Sequence, residues 1–176
     1  MRKLKVTELD RLTPEAFKQS HKTPLVVVLD HVRSLNNVGS VFRTSDAFRV
    51  EAIYLCGITA CPPNAEIHKT ALGAEDTVEW HYYADTLEAV DNLKQQGYVV
   101  CAVEQVEGSV MLDKLLLDKT KKYAVILGNE VKGVQQSVVD SCDQCIEIPQ
   151  FGTKHSLNVS VTAGIVIWEL FKQLSE

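Results

Sequence analysis

Tyr123-Ala-Val-Ile-Leu127, Gly128-Asn-Glu-Val-Lys-Gly133, Cys145-Ile-Glu-Ile-Pro149 and Ser156-Leu-Asn-Val-Ser160 follow one another in the last third of the chain, and they decide the fold. The first is a short unbroken apolar run, the pattern of a strand buried on both faces. The second is a glycine-bounded turn carrying one carboxylate, Glu130. The third is another short strand, stopped by proline. The fourth follows the loop Gln150-Phe-Gly-Thr-Lys-His155 and opens a long apolar helix. Two strands therefore end in loops bearing Glu130, Ser156 and Asn158. In open α/β sheets ligands sit outside the carboxyl ends of strands, so the site is expected there.

Working back towards the start, the same alternation repeats. Pro24-Leu-Val-Val-Val-Leu-Asp30 is fully apolar until its last residue, and Glu51–Gly57, Thr77–Trp80 and Tyr98–Val103 also read as strands. Between them, Val38, Val41, Phe42, Ser45 and Phe48 recur at helical spacing, with Gly39 and Arg43 together on the opposite side. A glycine early in a helix costs about 1 kcal/mol against alanine. Either something approaches the backbone there or the helix merely tolerates it. Asn64 caps a helix over 65–72, and Asp85 caps another that ends at Gly97. Strand and helix in alternation predict an α/β fold, a parallel sheet with helices on both faces. Residues 24–176 are expected to form that domain. Residues 1–23 form a short extension in which Thr13-Pro14 starts a helix. Its basic residues (Arg2, Lys3, Lys5, Arg11, Lys18, His21 and Lys22) mark either a solvated helix or an RNA-facing rim.

Composition removes several classes. A length of 176 residues suits one domain with a real core, and 45% apolar with 23% charged residues is ordinary for a globular chain. No stretch is long and apolar enough to span a bilayer, and no apolar signal core follows Met1-Arg-Lys, so a cytoplasmic protein is expected. The net charge of −5 argues against a broadly basic nucleic-acid binder but allows a local basic patch. Five cysteines, an odd number, fit reduced thiols. Cys142-Asp-Gln-Cys145 has redox spacing, but it falls at a helix-to-strand junction and reads as packing. No Walker lysine, no Gly-x-Gly-x-x-Gly and no Gly-x-Ser-x-Gly is present, which disfavours nucleotide hydrolysis, dinucleotide binding and serine hydrolysis. No cluster has metal-ligand spacing, and no metal is expected.

Three stretches remain: Asn37-x-Gly39-x-x-x-Arg43, Gly128-x-Glu130-x-x-Gly133, and Ile148-Pro149 followed by Ser156-Leu157-Asn158-Val-Ser160. They supply an arginine, a carboxylate, a hydroxyl and an amide, groups that can hold a sugar–phosphate and orient a hydroxyl. In this order and at these separations they closely resemble the SpoU (TrmH) family of the SPOUT class, which are S-adenosylmethionine-dependent RNA 2′-O-ribose methyltransferases. The resemblance runs from about Pro24 to Leu174. It implies a C-terminal trefoil knot, an exception to ordinary chain topology. It implies that the adenosine of S-adenosylmethionine meets Val103, Gly128, Ile148 and Leu157. Arg43 matches the catalytic arginine, Asn37 the asparagine near it, Glu130 the motif carboxylate, and Ser156 and Asn158 the polar pair of the third motif. Gly97–Gln105 is similar to the subgroup acting on a tRNA D-loop guanosine, so tRNA is the expected substrate, with rRNA next. The alternatives are a knotted module that binds RNA or S-adenosylmethionine without turnover, and a base methyltransferase. A guanidinium is a poor base, so Arg43 either accepts a proton with help from a substrate phosphate or only orients the ribose.

The last helix, Leu157–Leu174, barely shows a polar side: Val159, Val161, Ala163, Ile165, Val166, Ile167, Trp168, Leu170 and Phe171 spread around its axis. A helix closing a chain normally covers a sheet from outside, with its outer face wet. A homodimer through this helix is therefore expected, as the family resemblance also implies, and Ile167→Glu or Phe171→Glu is expected to break it.

Overall fold

Alternate residues of the first long strand enter different cores, and the layering follows from that. In β1 (Thr23–Asp30), Leu25, Val27 and Leu29 enter one apolar cluster and Val26 and Val28 the other. β2 (Val50–Cys56), β4 (Tyr98–Val103) and β6 (Lys122–Leu127) likewise contribute to both. Shorter strands are β3 (Glu79–Tyr83), β5 (Val110–Met111) and β7 (Gln144–Glu147). All pairings are parallel, in the order β3-β2-β1-β6-β4-β7-β5. The computed structural model describes residues 1–175, with Val6 by its backbone alone.

Helices cover both faces, as the sequence predicts. α1 (Pro14–Gln19), α2 (Leu35–Ala47), α3 (Ala65–Ala71) and α6 (Val159–Leu174) bury Phe17, Phe42, Ile67 and Leu170 in the first core. α4 (Thr86–Gln95) and α5 (Gln136–Ser141) bury Leu93 and Val138 in the second. Thr13, Asn64 and Asp85 cap their helices through side-chain oxygens, as expected.

Two details differ from the sequence reading, and a third is decided between the two alternatives it offered. The edge strand begins at Glu79 rather than Thr77, because Val78 is buried in the first core beneath the turn before the strand. At Gly39 the first of the two readings holds: α3 approaches the backbone, and the helix does not merely tolerate the glycine. A Cβ there would lie 2.2 Å from the Ile67 carbonyl oxygen and 2.2 Å from Thr70 Oγ1, so its space is taken by α3. On α6, Val159, Ala163, Val166, Ile167 and Leu170 face inward, whereas Val161, Ile165 and Trp168 are exposed. Ile167 is thus a core residue, and a charge there tests folding rather than association. Phe171 is half-buried, 5.1 Å from the Phe48 ring and 6.1 Å from that of Trp168.

The end of α6 is braced by the connector before β6. Gln173 donates to the Leu115 carbonyl at 2.9 Å and accepts from the Leu117 N–H at 3.0 Å. All five cysteines are free thiols, and burial pushes Cys142 up to about 12, which suits the packing reading. Among the described residues no helix is long and apolar enough to cross a membrane.

Candidate functional site

Glu130 stands where the three sequence stretches meet. Its carboxylate accepts from the backbone N–H groups of Arg33 and Ser34, both at 2.9 Å, and from Asn37 Nδ2 at 3.1 Å. These donors surround the start of α2, where the helix dipole also favours an anion. Partial burial pushes the Glu130 carboxyl up, but the three donors outweigh it and hold the group below the ordinary carboxylate range. Asn37 passes the link on: its Oδ1 accepts from Asn158 Nδ2 at 3.2 Å. Asn158 in turn caps α6, accepting from the Ser160 N–H at 2.9 Å and from Ser160 Oγ at 2.6 Å. A chain Glu130–Asn37–Asn158 thus ties the turn after β6 to the first turns of α2 and α6. A carboxylate so fully engaged is a clamp rather than a free base.

The turn itself is tightly folded. Asn129 and Gly133 exchange backbone hydrogen bonds at 3.0 and 2.9 Å. A Cβ on Gly128 would fall 2.1 Å from the Gly133 carbonyl carbon, so only glycine lets the chain return this closely. Asn129 accepts from the N–H groups of Val131 and Lys132 and donates to the His31 carbonyl at 2.8 Å. The far end is held by Asp30, whose carboxylate is fully buried. It accepts from Thr86 Oγ1, from His31 Nδ1, and from the backbone and side chain of Gln135. Burial raises the Asp30 carboxyl, and these donors more than reverse that. Asp30 and Asn129 escaped the sequence reading. An acid ending an otherwise apolar strand was the signal available for Asp30.

Beside this frame the loops after β4, β6 and β7 enclose a cavity of about 660 Å³. Val103, Gly128, Ile148 and Leu157, singled out from the sequence, all line it, as do Glu130, Ser156 and Asn158. Glu104 and Glu147 line it too and were missed. Glu104 accepts from the Val134 N–H at 3.0 Å, pinning the turn to the end of β4, and Glu147 accepts from Ser109 Oγ at 2.6 Å. Position alone could have flagged Glu104, since it follows Val103 at a carboxyl strand end. Arg43 lies elsewhere. It is exposed on α2, outside the cavity lining, and has no hydrogen bond or ion pair among the described residues. It lies six positions beyond Asn37, about 9 Å along the helix axis. Among the described residues no group of three or more His, Cys, Asp or Glu is placed to hold a metal.

A parallel sheet whose carboxyl-end loops fold back on one another around a nucleoside-sized cavity, with a carboxamide–carboxylate chain at its rim, defines a cofactor-binding α/β domain. Its relatives narrow the class. The SpoU rRNA Methylase family model matches residues 24–168, and the chain belongs to that family. It is 35% identical over 152 residues to the 23S rRNA (guanosine-2′-O-)-methyltransferase RlmB of Nitrosomonas europaea, covering 86% of this chain and 57% of that one. The chain therefore spans about six-tenths of the length of the curated relatives it matches. The A. aeolicus TrmH/SpoU tRNA modifying enzyme superposes with a TM-score of 0.79 at 26% identity, over 90% of this chain and 79% of its own. An rRNA methyltransferase from Sinorhizobium meliloti, solved with AdoMet bound, gives 0.79 at 28% identity, over 93% and 62%.

Proposed function

We propose that this chain transfers a methyl group from S-adenosylmethionine to a ribose 2′-hydroxyl of RNA. One observation carries the reading: the cavity loops and the helix bearing Arg43 are joined by the Glu130–Asn37–Asn158 chain into a single frame. The cavity fits the cofactor chemically. Val103, Ile148 and Leu157 offer apolar surface for an adenine, and Glu104 and Glu147 offer acceptors for hydroxyl or ammonium groups. When bound there, the cofactor supplies an electrophilic methyl group, a reaction that asks for no metal. The chain's own residues position the acceptor. The Arg43 guanidinium fork grips the ribose and its phosphate, and the 2′-hydroxyl proton leaves to a phosphate oxygen or to solvent. Binding without turnover has no observation in its favour, since Arg43 stands free to meet a substrate.

Finer points belong to the same reading. Ribosomal RNA is favoured over tRNA, because the curated relatives carry 23S rRNA in their names. The domain is residues 24–176, with 1–23 as an extension. The C-terminal knot is supported by the insertion of β7 between β4 and β5, whose connecting segment the later chain must pass. A homodimer is supported by the apolar outer face of α6, where Val161, Ile165 and Trp168 are exposed. Action on ribosomal RNA, the substrate in the curated relatives' names, favours the cytoplasm. The test is calorimetry with S-adenosylmethionine, then transfer of a radiolabelled methyl group to unmodified 23S rRNA, with the product digested to identify a 2′-O-methylnucleoside. Binding without label in RNA ribose would overturn the proposal.

A further inference from the structure

The loop between β7 and α6 presents an aromatic ring with nothing against it. Phe151 is 97% exposed, second only to Met1 among the exposed large hydrophobic residues. Every residue from Gln150 to Asn158 is exposed, and 151–157 make no hydrogen bonds among the described residues. Yet the loop is not remote: Gln150 and His155 both line the cavity, so residues 151–154 connect two points of its lining. The turn after β6 borders the same cavity and carries Val131, 77% exposed, beside Lys132. Lys132 and Lys154 have no ion-pair partner among the described residues. The mouth thus combines a bare ring with two free ammonium groups.

We propose that Phe151 stacks on a nucleobase of an unpaired RNA segment at the cavity mouth, with Lys132 and Lys154 facing its phosphates. This rests on the methyltransferase reading and names how its substrate is held. A 2′-hydroxyl reaches an enclosed methyl donor most readily from an unpaired nucleotide, whose base is then free to stack on an aromatic side chain. Every base has a π-face, so such a contact anchors the strand without selecting sequence. A second copy of this chain fits the mouth less well, because a two-fold contact there would set the lysines of the two copies against each other.

The test uses the full chain and a short fluorescein-labelled single-stranded RNA read by anisotropy, alongside methyl transfer to unmodified 23S rRNA. Phe151→Ala should weaken RNA binding by about tenfold, the size of one lost stack, with S-adenosylmethionine affinity unchanged. Phe151→Trp should restore binding and Phe151→Leu should not. Lys132→Ala and Lys154→Ala should each lower the slope of log affinity against log salt by about 0.7. Rescue by leucine, or loss of cofactor affinity with RNA affinity intact, would overturn the stacking role. The two proposals fail separately. RNA binding that follows this pattern without methyl transfer removes the enzyme reading alone, and methyl transfer with an unchanged KM for RNA in Phe151→Ala removes the stacking role alone.

Discussion

Replacing Gly39 by alanine isolates the close approach of α3 to α2. On an open helix face the change would stabilise by about 1 kcal/mol, through helix propensity. Here the new Cβ would stand 2.2 Å from the Ile67 carbonyl oxygen, against 3.4 Å or more in ordinary contact, and equally close to Thr70 Oγ1. One of the two neighbours is backbone, so α3 must retreat by more than 1 Å. That retreat breaks the 2.9 Å hydrogen bond from Thr70 Oγ1 to the Asn36 carbonyl, worth about 1 kcal/mol. Overpacking costs about 1–3 kcal/mol more. The net expectation is a loss of about 1–3 kcal/mol, which lowers the melting temperature by about 3–10 °C for a chain of this length. Because Asn37 and Arg43 share α2 with Gly39, methyl transfer should fall as well. Calorimetric or circular-dichroism melting reads the stability. A Gly39→Ala protein that melts higher than wild type would refute the reasoning, since propensity would then have outweighed contact.

The other expectations are more local. Arg43→Ala should lower the turnover number by about a hundredfold or more while calorimetric S-adenosylmethionine affinity stays the same, since Arg43 lies outside the cavity lining. Glu130 and Asp30 have folded-state values held below their ordinary 4.5 and 3.8, so the stability they contribute is present above those values and is lost as pH falls through and below them. Denaturant unfolding from neutral pH downward should therefore show acid weakening, and Glu130→Gln should flatten that dependence. Ser45 Oγ is fully buried without a hydrogen-bond partner among the described residues, so Ser45→Ala should raise stability by about 1 kcal/mol in the same assay. Ile165→Glu, at a position 38% exposed on α6, should leave a folded monomer in sedimentation, where wild type is expected to sediment as a dimer.

How much of this was legible in the chain depends on range. The strands from Pro24, Glu51, Tyr98 and Tyr123 are unbroken apolar runs, and a run of that kind can only be buried on both faces, so a parallel sheet clothed in helices follows from local pattern. The caps at Thr13, Asn64 and Asp85 are equally local, because each acts on an N–H two or three residues away. Val103, Gly128, Ile148 and Leu157 came from the resemblance of motifs, and the fold sets them around one cavity. What the chain could not display were contacts between residues far apart in sequence. Glu130 with Arg33 and Ser34, Asn158 with Asn37, and Asp30 with Gln135 join partners about a hundred positions apart, and no periodicity encodes them. Gly39 is the plainest instance. Its sequence neighbourhood shows only a costly glycine in a helix, and the reason is a carbonyl oxygen on another helix that only chain folding brings near. The same holds for α6, whose composition is apolar all round. Which apolar residues become core and which remain bare, Ile167 against Ile165, is decided by the face the helix turns towards the sheet.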